Sequence, residues 1–162
     1  MSLLAVHVLL LAFAIGSVTG LRSFTPAAVV CWAARLGVLS LRATPLAFLG
    51  SPVAVAIFTL LALAELVADK LPKTPARTAA MGLSARFLLG GMCGAALDLA
   101  SPQPVSWVFA ALLGAAGGIV GAFAGYQVRT RLVKALNVPD FVIAPVEDAV
   151  AIAAAILIVT HV

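Results

Sequence analysis

Apolar runs of roughly 20 residues follow one another along this chain, separated by short breaks rich in Pro, Gly and Ser, and that spacing leaves few folds open. A helix needs about 20 residues to cross a hydrocarbon core of about 30 Å. Within lipid, every backbone N–H and C=O must find a partner inside the protein, so a run of this kind is read as a helix. Charge is scarce: 64% of the 162 residues are apolar and 10% are charged, where soluble proteins are roughly a quarter charged. The length accommodates about five or six crossings with short turns. Residues 1–162 are therefore expected to form a single integral membrane domain, an all-α polytopic transmembrane helix bundle.

The first span is expected from Leu3 to about Gly20. It has no basic leader and no Ala-x-Ala cleavage pattern, and it is read as a retained span. Pro26 suits the first turn of a second helix, with Ser23 and Thr25 as candidate caps. That second apolar run, 26–41, is short and contains Arg35, so it either crosses or re-enters. The third span is expected over 53–71, ended by Pro72 and Pro75, and the fourth over 81–99. The fifth covers 105 to about 128, with Trp107 as an interfacial anchor and a basic segment of Arg129, Arg131 and Lys134 after it. The sixth runs from Phe141 to His161.

Loop charge arbitrates between six spans and five spans plus a re-entrant helix. If 26–41 crosses, one face collects Arg22, Lys70, Lys73, Arg77, Arg129, Arg131 and Lys134, and the other keeps Arg42 with Arg35 near it. The positive-inside rule favours that sharper division. The expectation is six spans in a bacterial cytoplasmic (inner) membrane, with both termini outside the cytoplasm. Six spans divide into three plus three, and an odd-numbered half inserts its copy upside down, so an inverted repeat is admitted. Gly16…Ser23-Phe-Thr-Pro26 echoes Gly94…Ser101-Pro-Gln-Pro104 at one constant offset, a weak match because Ser/Pro turns are common.

The net charge of +4 and a pI near 9.7 do not indicate nucleic acid, because the bases sit singly at the ends of apolar segments. Cys31 and Cys93 lie within apolar runs without metal-ligand spacing and are expected as buried free thiols. His7 and His161 lie near the chain ends, with no partner that spacing supplies. No metal site and no cofactor are expected. The phosphate-binding, zinc-protease, nucleophile-elbow and redox cysteine motifs are missing, and no Ser-His-acid arrangement is within reach, so a catalytic role has little to stand on.

What charge there is gathers in patterns. Glu65 to Arg77 holds two of the six acids and three of the ten bases, directly after an apolar run. Glu65 lies about two turns inside that run, where an ionised carboxylate is costly unless paired. Gly82, Arg86, Gly90, Gly94 and Asp98 recur every four residues and share one helical face. Charges inside a span face the bundle interior, a partner or water. The bland alternatives are a snorkelling Arg86 and an Asp98 that merely ends its helix. Glu147 and Asp148 are placed near the start of the sixth span, where acids favour a helix N-terminus. Arg22, Glu65, Asp69, Lys70, Arg86, Glu147 and Asp148 are therefore expected to converge at the cytoplasmic ends of four spans, as a solute or ion site or as an ion-pair network pinning those ends.

Glycines mark the packing faces. Gly117, Gly121 and Gly125 form an i, i+4 ladder with Gly114 beside it, and Gly90 and Gly94 do the same in the fourth span. Small residues at that spacing admit a second helix to backbone contact, from the same chain or from another copy in a homo-oligomer.

Several of these motifs occur together in a known family. Gly20-Leu-Arg-Ser-Phe-Thr-Pro26, Ala68-Asp-Lys-Leu-Pro-Lys-Thr-Pro-Ala-Arg77, Gly121-Ala-Phe-Ala-Gly-Tyr126 and Val146-Glu-Asp148 resemble the "domain of unknown function 4126" group of small bacterial membrane proteins, over nearly the whole chain. The resemblance implies an integral membrane protein and supplies no catalytic residue. Three functional expectations stand. The first is a small transporter or channel-like protein for a small polar or ionic solute. The second is a membrane scaffold packing through its glycine helices. The third is a lipid-headgroup enzyme, for which a nucleophile or metal is lacking.

Overall fold

The computed structural model describes residues 2–68, 80–137 and 140–162, with the backbone alone at 140–142. All of its regular structure is helical among the described residues: α1 (Leu3–Leu21), α2 (Phe24–Leu36), α3 (Pro52–Ala68), α4 (Ala80–Ala100), α5 (Trp107–Leu136) and α6 (Asp140–Val159), with a 3-10 turn at Ala47–Gly50 before α3. α1, α4 and α5 are long and apolar enough to cross a membrane, and α2 and α3 are shorter apolar helices. Large apolar side chains such as Leu10, Leu60, Leu88, Leu112 and Leu157 point outward. On a soluble protein so much exposed apolar surface would be a liability; on a membrane protein it is the lipid-facing belt.

Local chemistry sets the helix ends. Ser2 caps α1 by accepting the Ala5 N–H at 3.2 Å, and Ser106 accepts the Phe109 N–H to start α5. α2 stops at Gly37, whose φ of +81° allows the N–H groups of Val38 and Leu39 to turn back onto the Ala33 carbonyl. With 13 residues, α2 spans about 20 Å and ends short of the apolar run 26–41, whose tail folds back as a loop with buried Leu39 and Leu41. α5 departs from expectation in the other direction. It continues unbroken through the basic segment to Leu136, 30 residues or about 45 Å, until Asn137 takes a left-handed conformation.

Two packing units make up the bundle. α1, α4 and α5 pack against one another through backbone-close surfaces. A Cβ added at Gly16 would overlap the Gly114 carbonyl of α5, one at Gly121 the Ser17 carbonyl of α1, and one at Gly114 the Gly90 carbonyl of α4. Gly117 meets Phe13 and Ser17 in the same way, and Gly94 meets Ala110. Gly16 faces Gly114 while Gly20 faces Gly118 and Ala122, so α1 and α5 run parallel; Gly94 faces Ala110 while Arg86 faces Gly118, so α4 runs against both. α2 packs on α3 and α6, and the joint core contains Ile15, Val30, Cys31, Leu49, Cys93, Leu97, Ala151 and Ala155. Both cysteines are buried free thiols.

Contacts along the shafts fix the remaining directions. Glu65 meets the start of α2 and Thr59 meets Trp32, so α3 opposes α2. His7 lies beside His161 and Arg22 beside Asp148, so α6 opposes α1. Pro45 and Leu46 share a cavity with Leu99 and Trp107, at the end of the bundle away from Arg22, so α2 opposes α1. Successive helices therefore alternate in direction. One end of the bundle gathers the chain start, the 37–51 loop, the α4–α5 turn and the C-terminus; the other gathers the α1–α2 turn, the start of α4, the end of α5 and the start of α6.

Candidate functional site

The five residues from Gly20 to Phe24 form the junction of α1 and α2, and side chains from α3, α4 and α6 hold it. Both oxygens of the Glu65 carboxylate are used there: Ser23 N–H donates to Oε1 at 2.7 Å and Phe24 N–H to Oε2 at 2.9 Å. An α-helix leaves its first N–H groups unsatisfied and carries partial positive charge at that end. Glu65 thus acts as the cap of α2, reaching across from α3. Ser23 and Thr25 do not cap, contrary to the sequence expectation. Ser23 has a helical backbone and makes no side-chain cap bond, and Thr25 Oγ1 is buried with no hydrogen-bond partner among the described residues.

Arg22, between the two helices, is fully buried, and its guanidinium pairs with the Asp148 carboxylate of α6, 9% exposed. Arg86, 6% exposed, donates from Nε to the Gly20 carbonyl at 3.0 Å and from Nη1 to Gly82 of its own helix at 2.9 Å. It does not snorkel: it reaches the C-terminal turn of α1, where a cation meets the negative end of the helix dipole. On the α5 side, a Cβ at Gly125 would collide with the Leu21 side chain. Four helices thus close on one turn.

Glu147 takes a different partner. It pairs with Arg129 of α5 at 3.2 Å, over an apolar cleft of about 300 Å³ between α5 and α6 that Leu21 and Gly125 also line. Arg129 belongs to the site although it was read only as part of a topogenic basic segment. The signal that could have found it is helical continuity: α5 extends past Val128 and carries Arg129 alongside Glu147. The placement of Glu147 and Asp148 at a helix start is also corrected. α6 begins at Asp140, so both acids lie two turns inside it, and guanidinium partners rather than the helix dipole stabilise them. Asp69, Lys70 and the rest of the 69–79 stretch lie outside the described residues.

Asp98 is at the opposite end from this cluster. It is fully buried, its Oδ1 accepts the Val105 N–H at 2.9 Å, and its Oδ2 has no hydrogen-bond partner among the described residues. It ties the end of α4 to the start of α5. Sharing a helix face with Arg86 did not bring the two together, because three helical turns separate them. Also at that end, His7 Nε2 donates to the His161 carbonyl at 3.1 Å, a closure of the bundle that residue spacing did not reveal. Among the described residues no group of three or more His, Cys, Asp or Glu is placed to hold a metal ion.

The junction thus holds a carboxylate on a helix N-terminus beside a buried Arg–Asp pair. Protonated Glu65 would keep one good acceptor oxygen and gain a donor, and so could no longer satisfy both N–H groups.

The family model described as a domain of unknown function (DUF4126) matches residues 9–161, nearly the whole chain, and the chain belongs to that family. No curated protein and no solved structure matches it.

Proposed function

We propose that this member of the family is a small transporter or channel-like protein for a small polar or ionic solute, with the α1–α2 junction as its gate. The observation that carries the reading is the Glu65 carboxylate bound across helices to the Ser23 and Phe24 N–H groups. Helix N-termini inside membrane bundles are places where anionic groups bind, and here the chain supplies its own. A neutral side chain at position 65 leaves one of the two N–H groups without a good acceptor, and an entering solute or water takes that place. Arg22, Arg86 and Asp148 set the potential around that exchange, and Glu147 with Arg129 clasps α5 to α6 beside it. Asp69 and Lys70 are proposed as part of the same cluster on their sequence position.

The reading includes six crossings in a bacterial inner membrane, α2 being the thin one, with both termini outside and the junction at the cytoplasmic face. Alternating helix directions and the basic residues on the junction side support it. An inverted three-plus-three repeat adds nothing to it: α1 packs extensively on α5, whereas the corresponding pair, α4 and α2, touch little. A scaffold function is not proposed, because the close glycine surfaces are filled by helices of this same chain.

The test is proton movement in vesicles holding the purified chain and a trapped pH indicator, with potassium and valinomycin to balance charge. The wild-type chain is expected to dissipate an imposed pH gradient faster than empty vesicles, and Glu65→Gln, with unchanged elution and helix content, is expected to lose that flux. Equal flux in the two proteins, or none above empty vesicles, contradicts the reading.

A further inference from the structure

At the end of the bundle away from the junction, the loop after α2 and the start of α3 border an open cavity of about 240 Å³ lined by Arg35, Arg42, Gly50 and Ser51, with Ala34 and Leu41 beneath. Two guanidinium groups share this space and no carboxylate lines it. Arg35 has one hydrogen bond, to the Gly50 carbonyl, stretched to 3.5 Å. Arg42 has no hydrogen bond or ion pair among the described residues. The carboxylates whose side chains are described are engaged elsewhere: Glu65, Asp148 and Glu147 at the opposite end, and Asp98 on the Val105 N–H.

Arg35 has a structural reason to be where it is, since a cation in the last turn of α2 meets the negative end of that helix. Arg42 has none. It stands in a loop, beside another cation, on the face that carries the fewer basic residues. Guanidinium pairs are the protein's usual means of holding carboxylate and phosphate oxygens with paired, directional hydrogen bonds. A volume several times the ~30 Å³ share of one water admits a tetrahedral oxyanion with part of its hydration.

We infer that this cavity is an oxyanion site for a phosphate-type group, held by Arg35 and Arg42 and separate from the junction at the other end. Two sources supply that chemistry, free phosphate and the headgroup of an anionic phospholipid. The site does not depend on the transport reading.

The experiment uses the full chain purified in a maltoside detergent. Inorganic phosphate binding is followed by calorimetry against chloride as a control, and retained phosphatidylglycerol and cardiolipin by native mass spectrometry. Saturable phosphate binding, weakened about tenfold or more by Arg42→Gln and by Arg35→Gln, identifies a free oxyanion as the occupant. Phospholipid retained by the wild type and lost from both variants, without phosphate binding, identifies the headgroup. Both side chains are solvent-exposed, so the variants are expected to fold. Should a Gln variant aggregate, Arg42→Lys, which keeps the charge and loses the paired donors, carries the same expectation at smaller size. Neither probe binding, or both variants retaining the probes as the wild type does, overturns the inference.

Discussion

Arg22 is a fully buried guanidinium at a helix junction, and its acidic partner on α6 is Asp148. Desolvating such a pair costs several kcal/mol per ion, and mutual attraction recovers it only while both members are present. Asp148→Ala is therefore expected to destabilise the protein by about 3–5 kcal/mol in an SDS-unfolding titration. The double variant Arg22→Met/Asp148→Leu, which removes both charges and keeps the volume, is expected to be more stable than Asp148→Ala alone. A double variant as unstable as the single one would show that the charges are not coupled. Sequence could identify these residues but not their partners. A carboxylate two turns inside an apolar run must be paired or neutral, which marked Glu65. That its partners are two backbone N–H groups of another helix has no signature in residue type, and a buried Arg22 reads the same as a topogenic one.

At the level of elements, the glycine spacing of α4 and α5 is visible as a pattern, whereas the identity of the partner helix is not, because a Cβ-free face admits any helix. Here α1 fills the Gly117–Gly121 face of α5 with Phe13 and Ser17, while Gly90 and Gly94 of α4 meet Gly114 and Ala110 of α5. Gly121→Leu is accordingly expected to disrupt the fold, seen as lost helix content and aggregation on elution, and not to release an intact monomer from an oligomer. Even one added methyl group there meets the Ser17 backbone, a site with no flexible atom to yield; overpacking of this kind costs about 1–3 kcal/mol or more. Gly50→Ala is the control. Its Cβ would sit 3.4 Å from the Ala34 carbonyl, close to ordinary contact, and the change is expected within about 0.5 kcal/mol of neutral. Helix lengths were less legible than helix number. Hydropathy ends α5 where the basic residues begin, yet helix-forming Arg, Leu, Lys and Ala carry it to Leu136. In α2 the apolar run overstates the helix, since Gly37 stops it and the following leucines are buried in the loop.

For the whole molecule, two polar features lie at opposite ends of an apolar bundle: the junction held by Glu65, Arg22, Arg86 and Asp148, and the arginine-lined cavity beside Ser51. Between them the core cluster is apolar. A protein that moves a solute must wet that core intermittently, and Glu65 is the group whose hydration would change. The most direct measurement places a single cysteine at position 65, with Cys31 and Cys93 replaced by Ala, and probes it with membrane-impermeant thiol reagents from each side of sealed vesicles. The proposed function predicts labelling from the cytoplasmic side at once and from the other side in a minor fraction. A position 65 that labels from neither side would make the junction a dry structural clamp and contradict the transport reading.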